Sequence, residues 1–502
     1  MTPGGPEWGR SEPGGRIGHD EAVSTIRPTP GLEDLRLYDS RTRRVQPFVP
    51  LAPPRVGIYS CGPTVYAPQH LGNMRSQVIP DLLRRVITAA GYEVTYVTNI
   101  TDVGHLVSDA DDGDDKLERA AAATGRSAAE IAEHFTEQWA TDRRRLGCQE
   151  PDIVPRAASH IPEQIAMVEI LQAQGHTYVV DDGVYFDVST FPRYAEFAGL
   201  DLDEMTTSGR IEHIEAKRHP ADFALWKLTP PGVVRQQEWD SPWGRGFPGW
   251  HIECSAMATK YLGERFDIHT GGVDHQRVHH TNEVAQSECV LAVHPWVGTW
   301  MHNEFLDLGG AKISKSKGDV LVVDTIVERG LDPLAFRYFT FQAHYRQQQA
   351  FSWEAMEAAN TALRRLVGHA AVARAAGGAS NPAAVDPYRR RFWSALADDL
   401  KAPQALAVVW EAVRDPGLSS ADTWALLTDA DRALGLGLAD AVAPNADEQG
   451  SDPRIDGLVA QRQAARAAKD FATSDRLRDA LSAEGIEILD TPTGTTWRRS
   501  GG

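Results

Sequence analysis

The sequence predicts an α/β fold whose parallel sheet is interrupted by an insertion and followed by a helical carboxyl-terminal part. Three observations predict the sheet. Val56-Gly-Ile-Tyr59 is a short apolar run closed by a turn, apolar pairs recur every four residues from Val78 to Ile87, and Val94-Thr-Tyr-Val97 follows Gly91. This strand–helix–strand order implies parallel strands, and ligands of such sheets bind beyond the carboxyl ends of the strands.

Composition excludes several classes of protein. The 502 residues leave room for two or three domains, and the 51 Lys and Arg against 69 Asp and Glu give a net charge of −18. This excludes a protein coated in positive charge, although a local basic face could still contact phosphates. No run of roughly 18 apolar residues is present, so no membrane span is predicted. Four cysteines fit a reducing cytoplasm, and Cys148 and Cys289 are interpreted as structural.

The remaining elements follow in order along the chain. The first 31 residues contain seven Gly and five Pro without an apolar core, which predicts a disordered tail rather than a secretory signal. A helical stretch covers about 115–146, and a segment of mixed character rich in Trp, Pro and Gly runs to about 248. Strand-like runs return at 266–269 and 300–306. Helical periodicity dominates beyond 332, and the last residues form a separate small unit.

Four residues with metal-ligand chemistry form the first candidate site. His279 and Glu283 are four apart, so on a helix both side chains leave the same face. Cys61 follows the first strand, and Cys254 stands where the sheet resumes after the insertion. Two thiolates, an imidazole and a carboxylate would suit Zn²⁺. The alternative is a surface helix pair beside two unrelated core cysteines, since buried structural cysteines are common.

A second candidate site is His70-Leu-Gly-Asn73, just before the first helix. Gly72 allows a close approach of the backbone, and a helix N-terminus offers unpaired N–H groups to a phosphate. His70 and Asn73 can donate hydrogen bonds to phosphate or ribose oxygens. The alternative is a plain polar loop with a helix cap.

A third candidate site is Lys312-Ile-Ser-Lys-Ser-Lys317. Lys312 and Lys315 could both reach a triphosphate and stabilise charge on a leaving pyrophosphate, although a solvated basic loop would have the same composition. Between the second and third sites, a strand ends in Gly272 and Asp274, which a nucleotide ribose could use.

Taken in this order, the motifs resemble those of the cysteine–tRNA ligase family, class I aminoacyl-tRNA synthetases. His70-Leu-Gly-Asn73 is similar to the family's HIGH signature, and Lys312-Ile-Ser-Lys-Ser316 to its KMSKS loop. The strings that resemble the cysteine-specific members are Cys61-Gly-Pro-Thr-Val-Tyr66, Gly249-Trp-His-Ile-Glu-Cys-Ser-Ala-Met257, Asp267-Ile-His-Thr-Gly-Gly-Val-Asp274 and Gly494-Thr-Thr-Trp-Arg-Arg499. The resemblance runs from about residue 35 to about residue 499.

The resemblance implies a Rossmann-type catalytic core split by a connective insertion, then a helical bundle and an anticodon-binding domain. The implied boundaries are a disordered tail at 1–33, the first half of the core at 34–145, the insertion at 146–248, the second half at 249–308, a stem-contact region with the lysine loop at 309–375, the bundle at 376–445 and the anticodon-binding domain at 446–502.

The resemblance also implies roles for the candidate residues. One zinc ion held by Cys61, Cys254, His279 and Glu283 would bind the thiol of the substrate cysteine. The implied substrate pocket consists of Gly62, Thr64, Trp250 and His269. ATP, with Mg²⁺ assisting, would be bound by His70, Gly72, Asn73, Gly272, Asp274, Lys312 and Lys315, of which His70, Asn73 and the two lysines would be catalytic.

The implied reaction joins L-cysteine to tRNA-Cys through a cysteinyl-adenylate, and the implied assembly is a monomer in the cytoplasm. Arg466, Asp475 and Asp490 fall where the family places residues that contact the anticodon, and such side chains can read the edges of unpaired bases. Their alternative interpretation is as ordinary surface charges.

Departures from the family pattern leave other readings open. Asn73 stands where the signature ends in His, Ile313 replaces Met, Thr281 stands where Glu is frequent, and the acidic segment 104–115 has no predicted role. One alternative is a ligase that joins cysteine to an amino-sugar inositol, which shares the core but lacks the anticodon unit. A second is a catalytically silent RNA-binding paralogue, against which the complete set of ligands and lysines argues.

Overall fold

A computed structural model describes residues 28–103, 116–199, 217–308, 320–442, 453–468, 470–491 and 494–499. The predicted lysine loop and acidic segment lie outside these ranges, as does most of the predicted tail. The described residues begin at 28, and Leu32, which falls within the predicted tail at 1–33, is buried in the main core. The predicted α/β fold is confirmed.

The central sheet contains four parallel strands in the order β10-β9-β3-β4. They are β3 (Arg55–Ser60), β4 (Glu93–Thr98), β9 (Phe266–Gly272) and β10 (Val297–Asn303). Strands β3 and β9 are adjacent although an insertion separates them in sequence, so the two halves of the core meet inside one sheet. Their carboxyl ends therefore share one edge, where parallel sheets bind ligands.

Helix α1 (Leu71–Ala89) crosses between β3 and β4 and carries the predicted apolar stripe. Val78, Leu82 and Val86 are fully buried in the main core, as their four-residue spacing predicts. His70 caps the start of the helix, and its Nδ1 accepts a hydrogen bond from the Asn73 N–H at 3.2 Å. The position of the sheet and the burial of this apolar stripe together determine where the N-terminus of α1 lies.

The insertion forms its own antiparallel sheet in the order β5-β6-β7-β8, with a separate apolar core. Its elements are α4 (Ile161–Ala173), β5 (Thr177–Val180), β6 (Gly183–Phe186), β7 (Phe223–Leu228) and β8 (Gly246–Pro248). Helix α4 also packs against the helices Trp250–Leu262 and His279–Leu291, so the insertion is joined to the core rather than separate from it.

The other helices and strands complete three further parts of the chain. Around the core lie β1 (Arg36–Asp39), β2 (Arg44–Pro47), α2 (Lys116–Thr124), α3 (Ala128–Arg145), α5 (Trp250–Leu262), α6 (Val273–Arg277), α7 (His279–Leu291) and β11 (Leu306–Asp307). The helical region contains α8 (Val323–Glu328), α9 (Leu334–Thr340), β12 (Gln349–Ala350), α10 (Trp353–Ala376), α11 (Pro382–Ala397), α12 (Ala402–Arg414) and α13 (Ser420–Leu434). The small terminal unit contains α14 (Pro453–Ala467), α15 (Phe471–Ala483), β13 (Ile486–Thr491) and β14 (Gly494–Arg499). None of the described helices is both long enough and apolar enough to cross a bilayer.

A buried ion-pair cluster joins α1 to the helical region. Asp81 accepts hydrogen bonds from Arg337 at 2.5 Å, Arg85 at 2.7 Å and the Gln149 N–H at 2.7 Å. Arg337 also donates to the Leu434 carbonyl at the end of α13. Burial alone would raise the pKa of Asp81, but the two guanidinium groups and the N–H outweigh it, and its pKa is lowered.

Asp142 in α3 is buried in surroundings that disfavour the ionised form of its carboxyl group. Neither of its oxygens accepts a hydrogen bond within the described part of the chain, and its nearest cation, Arg145, lies 3.5 Å away. Burial and then repulsion from Asp324 raise its pKa to about 6, although Arg145 opposes them. The folded protein therefore binds this proton more tightly than the unfolded chain.

We expect this group to make the free energy of unfolding fall by about 1 kcal/mol as pH rises from about 4 to about 6. Asp142→Asn removes the ionisation and should flatten this part of the pH profile. Urea unfolding of both proteins at several pH values across this range measures the slope. If the free energy of unfolding of the variant falls with pH as steeply as that of the wild type, other groups cause the fall.

Candidate active site and metal centre

The candidate site lies along the carboxyl edge of the central sheet. Cys61 directly follows β3, and Gly272 ends β9. The other donors come from helices on the same side, since Cys254 lies in α5 and His279 and Glu283 lie in α7. Residues far apart in sequence thus meet because their strands are neighbours.

The structure brings the four predicted metal ligands together. One ligand atom from each of Cys61, Cys254, His279 and Glu283 lies within 4.8 Å of the others. The His279 Nε2–Glu283 Oε1 distance is 2.9 Å, and the Cys61 Sγ–Glu283 Oε1 distance is 4.0 Å. All but Cys61 are buried, and Cys61 is partly exposed. Two sulfurs, an imidazole nitrogen and a carboxylate oxygen form a set that fits a divalent ion of borderline-soft character.

The charges within this group favour metal ligation. The Cys61 thiol donates to Cys254 and thereby lowers the pKa of Cys254 to about 6, whereas burial and this neighbour raise the pKa of Cys61. Burial opposes ionisation of Glu283, but His269 and His279 outweigh it and lower its pKa to about 2. The carboxylate is therefore ionised at neutral pH, and one thiol loses its proton readily.

Three histidines lie behind the predicted ligands: His269, which the sequence placed in the substrate pocket, and His280 and His302, which it did not single out. His269 Nε2 lies 3.0 Å from Glu283 Oε2, and His280 Nε2 lies 3.2 Å from Cys61 Sγ. With Cys61 and Glu283, these two histidines form a second group of potential donors. His280 Nδ1 in turn contacts His302 Nε2 at 2.7 Å. The paired histidines at 279 and 280 were the sequence signal, but only the fold shows which partner each one has.

The structure places the other predicted pocket residues near this centre. Trp250 begins α5, and its ring centroid lies 4.5 Å from that of His279. His269 is fully buried and bonded to Glu283, so it lies behind the ligands. Gly62 donates its N–H to Asn99 Oδ1 at 2.9 Å, and a Cβ there would lie 1.5 Å from the Asn99 carbonyl oxygen. Only glycine fits this position. Thr64 forms a β-bridge with Thr101 beside it.

The predicted phosphate-binding loop forms the N-terminus of α1. Gly72 lies beneath the imidazole of His70, because a Cβ there would come within 2.9 Å of two ring atoms. Asn73 is exposed, and its amide donates to Gln69 Oε1 at 2.8 Å. Burial lowers the pKa of His70, so this ring is neutral at physiological pH, with one nitrogen that can donate a hydrogen bond and one that can accept.

The remaining predicted residues lie in helices, in a strand or outside the described part of the chain. Asp274 follows β9 in α6, with its side chain 55% exposed. Lys312 and Lys315 lie outside the described residues. Arg466 and Asp475 are exposed on α14 and α15, and Asp490 lies in β13, where its backbone pairs with Thr495.

Comparison with known proteins decides the family. Residues 47–361 match the family model described as the class I (C) tRNA synthetase catalytic domain, and residues 448–498 match the cysteinyl-tRNA ligase anticodon-binding domain. The chain belongs to the cysteine–tRNA ligase family. The family resemblance is thereby confirmed, and the chain is a class I aminoacyl-tRNA synthetase.

Curated relatives extend this match over most of the chain. A protein of Burkholderia lata named cysteine–tRNA ligase 1 is 48% identical over 463 residues, which cover 92% of this chain and 96% of the relative. A cysteine–tRNA ligase of Thermus thermophilus is 40% identical and covers 92% of this chain and 99% of its own. A solved Mycobacterium tuberculosis methionyl-tRNA synthetase with methionyl-adenylate shares the fold at a TM-score of 0.54, with 16% identity over 80% of this chain and 94% of that chain.

Proposed function

We propose that this member of the cysteine–tRNA ligase family joins L-cysteine to tRNA-Cys in an ATP-dependent reaction and selects cysteine through a zinc ion. The observation that carries the zinc proposal is the convergence of Cys61, Cys254, His279 and Glu283 within 4.8 Å. When bound there, zinc would coordinate the thiolate of the substrate, for which the hydroxyl of serine is a poor substitute. Selection by coordination can exceed the ~1–3 kcal/mol that a methylene-sized difference supplies in an apolar pocket.

The chain's own residues would bind and orient the reactants. Trp250 packs beside His279 and would form one wall of the amino-acid pocket. His70, Gly72 and the N-terminus of α1 would bind ATP phosphates, and Asp274 and Gly272 would bind the ribose. The cysteine carboxylate attacks the α-phosphate, and pyrophosphate leaves. Lys312 and Lys315, assisted by Mg²⁺, would stabilise the departing charge.

The second step needs no protein nucleophile. A hydroxyl of the terminal adenosine of the tRNA attacks the carbonyl of the adenylate, and AMP leaves. Positioning and charge stabilisation therefore supply the catalysis. Arg466, Asp475 and Asp490 would recognise the anticodon, and the anticodon-domain match supports a tRNA rather than an amino-sugar inositol as the acceptor. We infer a monomer acting in the cytoplasm.

Charging of a tRNA-Cys transcript with labelled cysteine tests the proposal. We expect rapid charging with zinc-loaded protein, at least a hundredfold less after removal of the metal by a chelator, and recovery when zinc is restored. Serine should not replace cysteine. Metal analysis of the treated protein is the control that links activity to metal content. Adenylate formation without charging would refute the tRNA acceptor, and undiminished charging of metal-free protein would refute the role of zinc.

A further inference from the structure

An exposed aromatic side chain stands at the sheet edge that carries the candidate site. Phe305 is 52% exposed, two residues after the end of β10. Among phenylalanine, tyrosine and tryptophan side chains in the described part of the protein, only Phe305 and Phe471 are exposed. A single exposed apolar residue needs no explanation in itself. Phe305 differs from other exposed apolar residues in its position at this edge and in the hydrogen bonds that hold its backbone.

Phe305 follows the strand that neighbours β9, whose end leads into the residues predicted to bind ribose. Strands β9 and β10 pair in parallel, and Asn303 at the end of β10 is in register with Gly272 at the end of β9. Asp274 lies two residues beyond Gly272, in α6, and Phe305 lies two residues beyond Asn303. A base attached to a ribose at Asp274 would therefore extend along the same edge of the sheet.

A buried guanidinium holds the backbone beneath this ring. Arg75 in α1 is fully buried and donates to the carbonyls of Glu304 at 2.5 Å and Phe305 at 2.9 Å. Its other nitrogen donates to the carbonyls of His344 at 3.3 Å and Gln347 at 2.9 Å. Burial lowers the pKa of Arg75 to about 10, so the group remains charged at neutral pH.

Backbone hydrogen bonds to the segment 345–349 also hold this part of the chain. The Gln349 N–H donates to the Phe305 carbonyl at 3.1 Å, and the Glu304 N–H donates to the Tyr345 carbonyl at 2.8 Å. The backbone that carries the exposed ring is therefore fixed by hydrogen bonds at both residues. Little conformational entropy would be lost when a flat ligand stacks on such a ring.

We infer that Phe305 is a stacking surface for an adenine base at the carboxyl edge of the sheet. An adenine presents a π-face to an aromatic ring without needing specific hydrogen bonds, and loss of such a contact weakens binding by about 5- to 150-fold. The inference rests on the proposed function, which provides two adenine sources, ATP and the terminal adenosine of the tRNA.

Two half-reactions of the zinc-loaded protein distinguish these sources. Pyrophosphate exchange reports ATP binding, and transfer of cysteine from preformed adenylate to tRNA reports binding of the terminal adenosine. Phe305→Ala should raise KM for ATP in the first or for tRNA in the second by about 5- to 150-fold. Phe305→Tyr should keep both within about threefold of wild type, because it retains the ring.

Val179→Ala is the matched control, since Val179 is also 52% exposed but lies in the insertion sheet. A raised KM in one half-reaction, with an unchanged melting temperature, supports the inference. The half-reaction that is affected shows whether the adenine belongs to ATP or to the tRNA. If the KM values of Phe305→Ala for ATP and for tRNA both equal those of Val179→Ala, the inference is wrong. A common fall in kcat accompanied by a lower melting temperature would also overturn it. Absence of exchange in the wild-type protein would instead refute the proposed function.

Discussion

Cys61→Ser is expected to abolish metal binding and to lower cysteine-dependent pyrophosphate exchange by more than about a hundredfold. Cys61 belongs to both groups of potential donors in the pocket, as does Glu283, so neither group remains complete without it. A serine hydroxyl is a poor ligand for zinc compared with a thiolate. Even residues that only support metal ligands cost about 10- to 100-fold when they are replaced, so loss of a ligand should cost more.

Metal content and exchange rate should be measured on the same preparations. Cys289→Ser is the matched control, because Cys289 is a half-buried cysteine in α7 that belongs to neither donor group. It should keep one equivalent of metal and its activity. Circular dichroism separates loss of metal from loss of fold. A Cys61→Ser protein with full metal content and normal exchange would show that this thiol is not a ligand.

Asp81→Asn is expected to lower the free energy of unfolding by about 3–5 kcal/mol, because it leaves Arg337 buried without its carboxylate. Arg337 is fully buried, and Asp81 is its only acidic partner within 4.0 Å among the described residues. Asp81 has a lowered pKa, so its contribution to stability is present above the ordinary carboxyl pKa and is lost as pH falls. Denaturant unfolding at neutral pH measures the effect.

Asp152→Asn provides the comparison for this prediction. Asp152 pairs with Arg84 at 2.9 Å, but its side chain is 40% exposed. Pairs with such exposure contribute about 0–1 kcal/mol, although Asp152 also accepts the Tyr96 N–H. The double variant Asp81→Asn with Arg337→Met should recover part of the loss, since no uncompensated charge remains. If Asp81→Asn and Asp152→Asn lower the free energy of unfolding by the same amount, burial of the Asp81–Arg337 pair does not make its loss more costly.

The sequence predicted those parts of the fold and site that depend on local pattern. The stripe through Val78, Leu82 and Val86 predicted α1, and the four-residue spacing of His279 and Glu283 placed both on one helix face. A cysteine at a strand end, Cys61, pointed to the active edge of a parallel sheet. The assignment of roles came from the family resemblance, since spacing alone left structural alternatives open.

Partners that depend on long-range packing could not be predicted in this way. Arg75 and Arg337 are charged, so a pattern of polarity assigns them to the surface, yet both are fully buried and bonded to distant carbonyls. The contact of His269 with Glu283 likewise requires the position of β9 against α7. Such contacts follow from tertiary structure, which no local periodicity encodes.

The order β10-β9-β3-β4 has a consequence during synthesis on the ribosome. The first half of the core emerges with β3 and β4, whereas β9, the other neighbour of β3, follows only after the insertion. Until then, one side of β3 presents unpaired N–H and C=O groups, and unpaired strand edges promote aggregation. The four predicted metal ligands are divided between the same two halves, so a nascent chain that stalls within the insertion has neither a complete sheet nor the full set of these four residues. Such a chain should depend on chaperones more than the finished protein does.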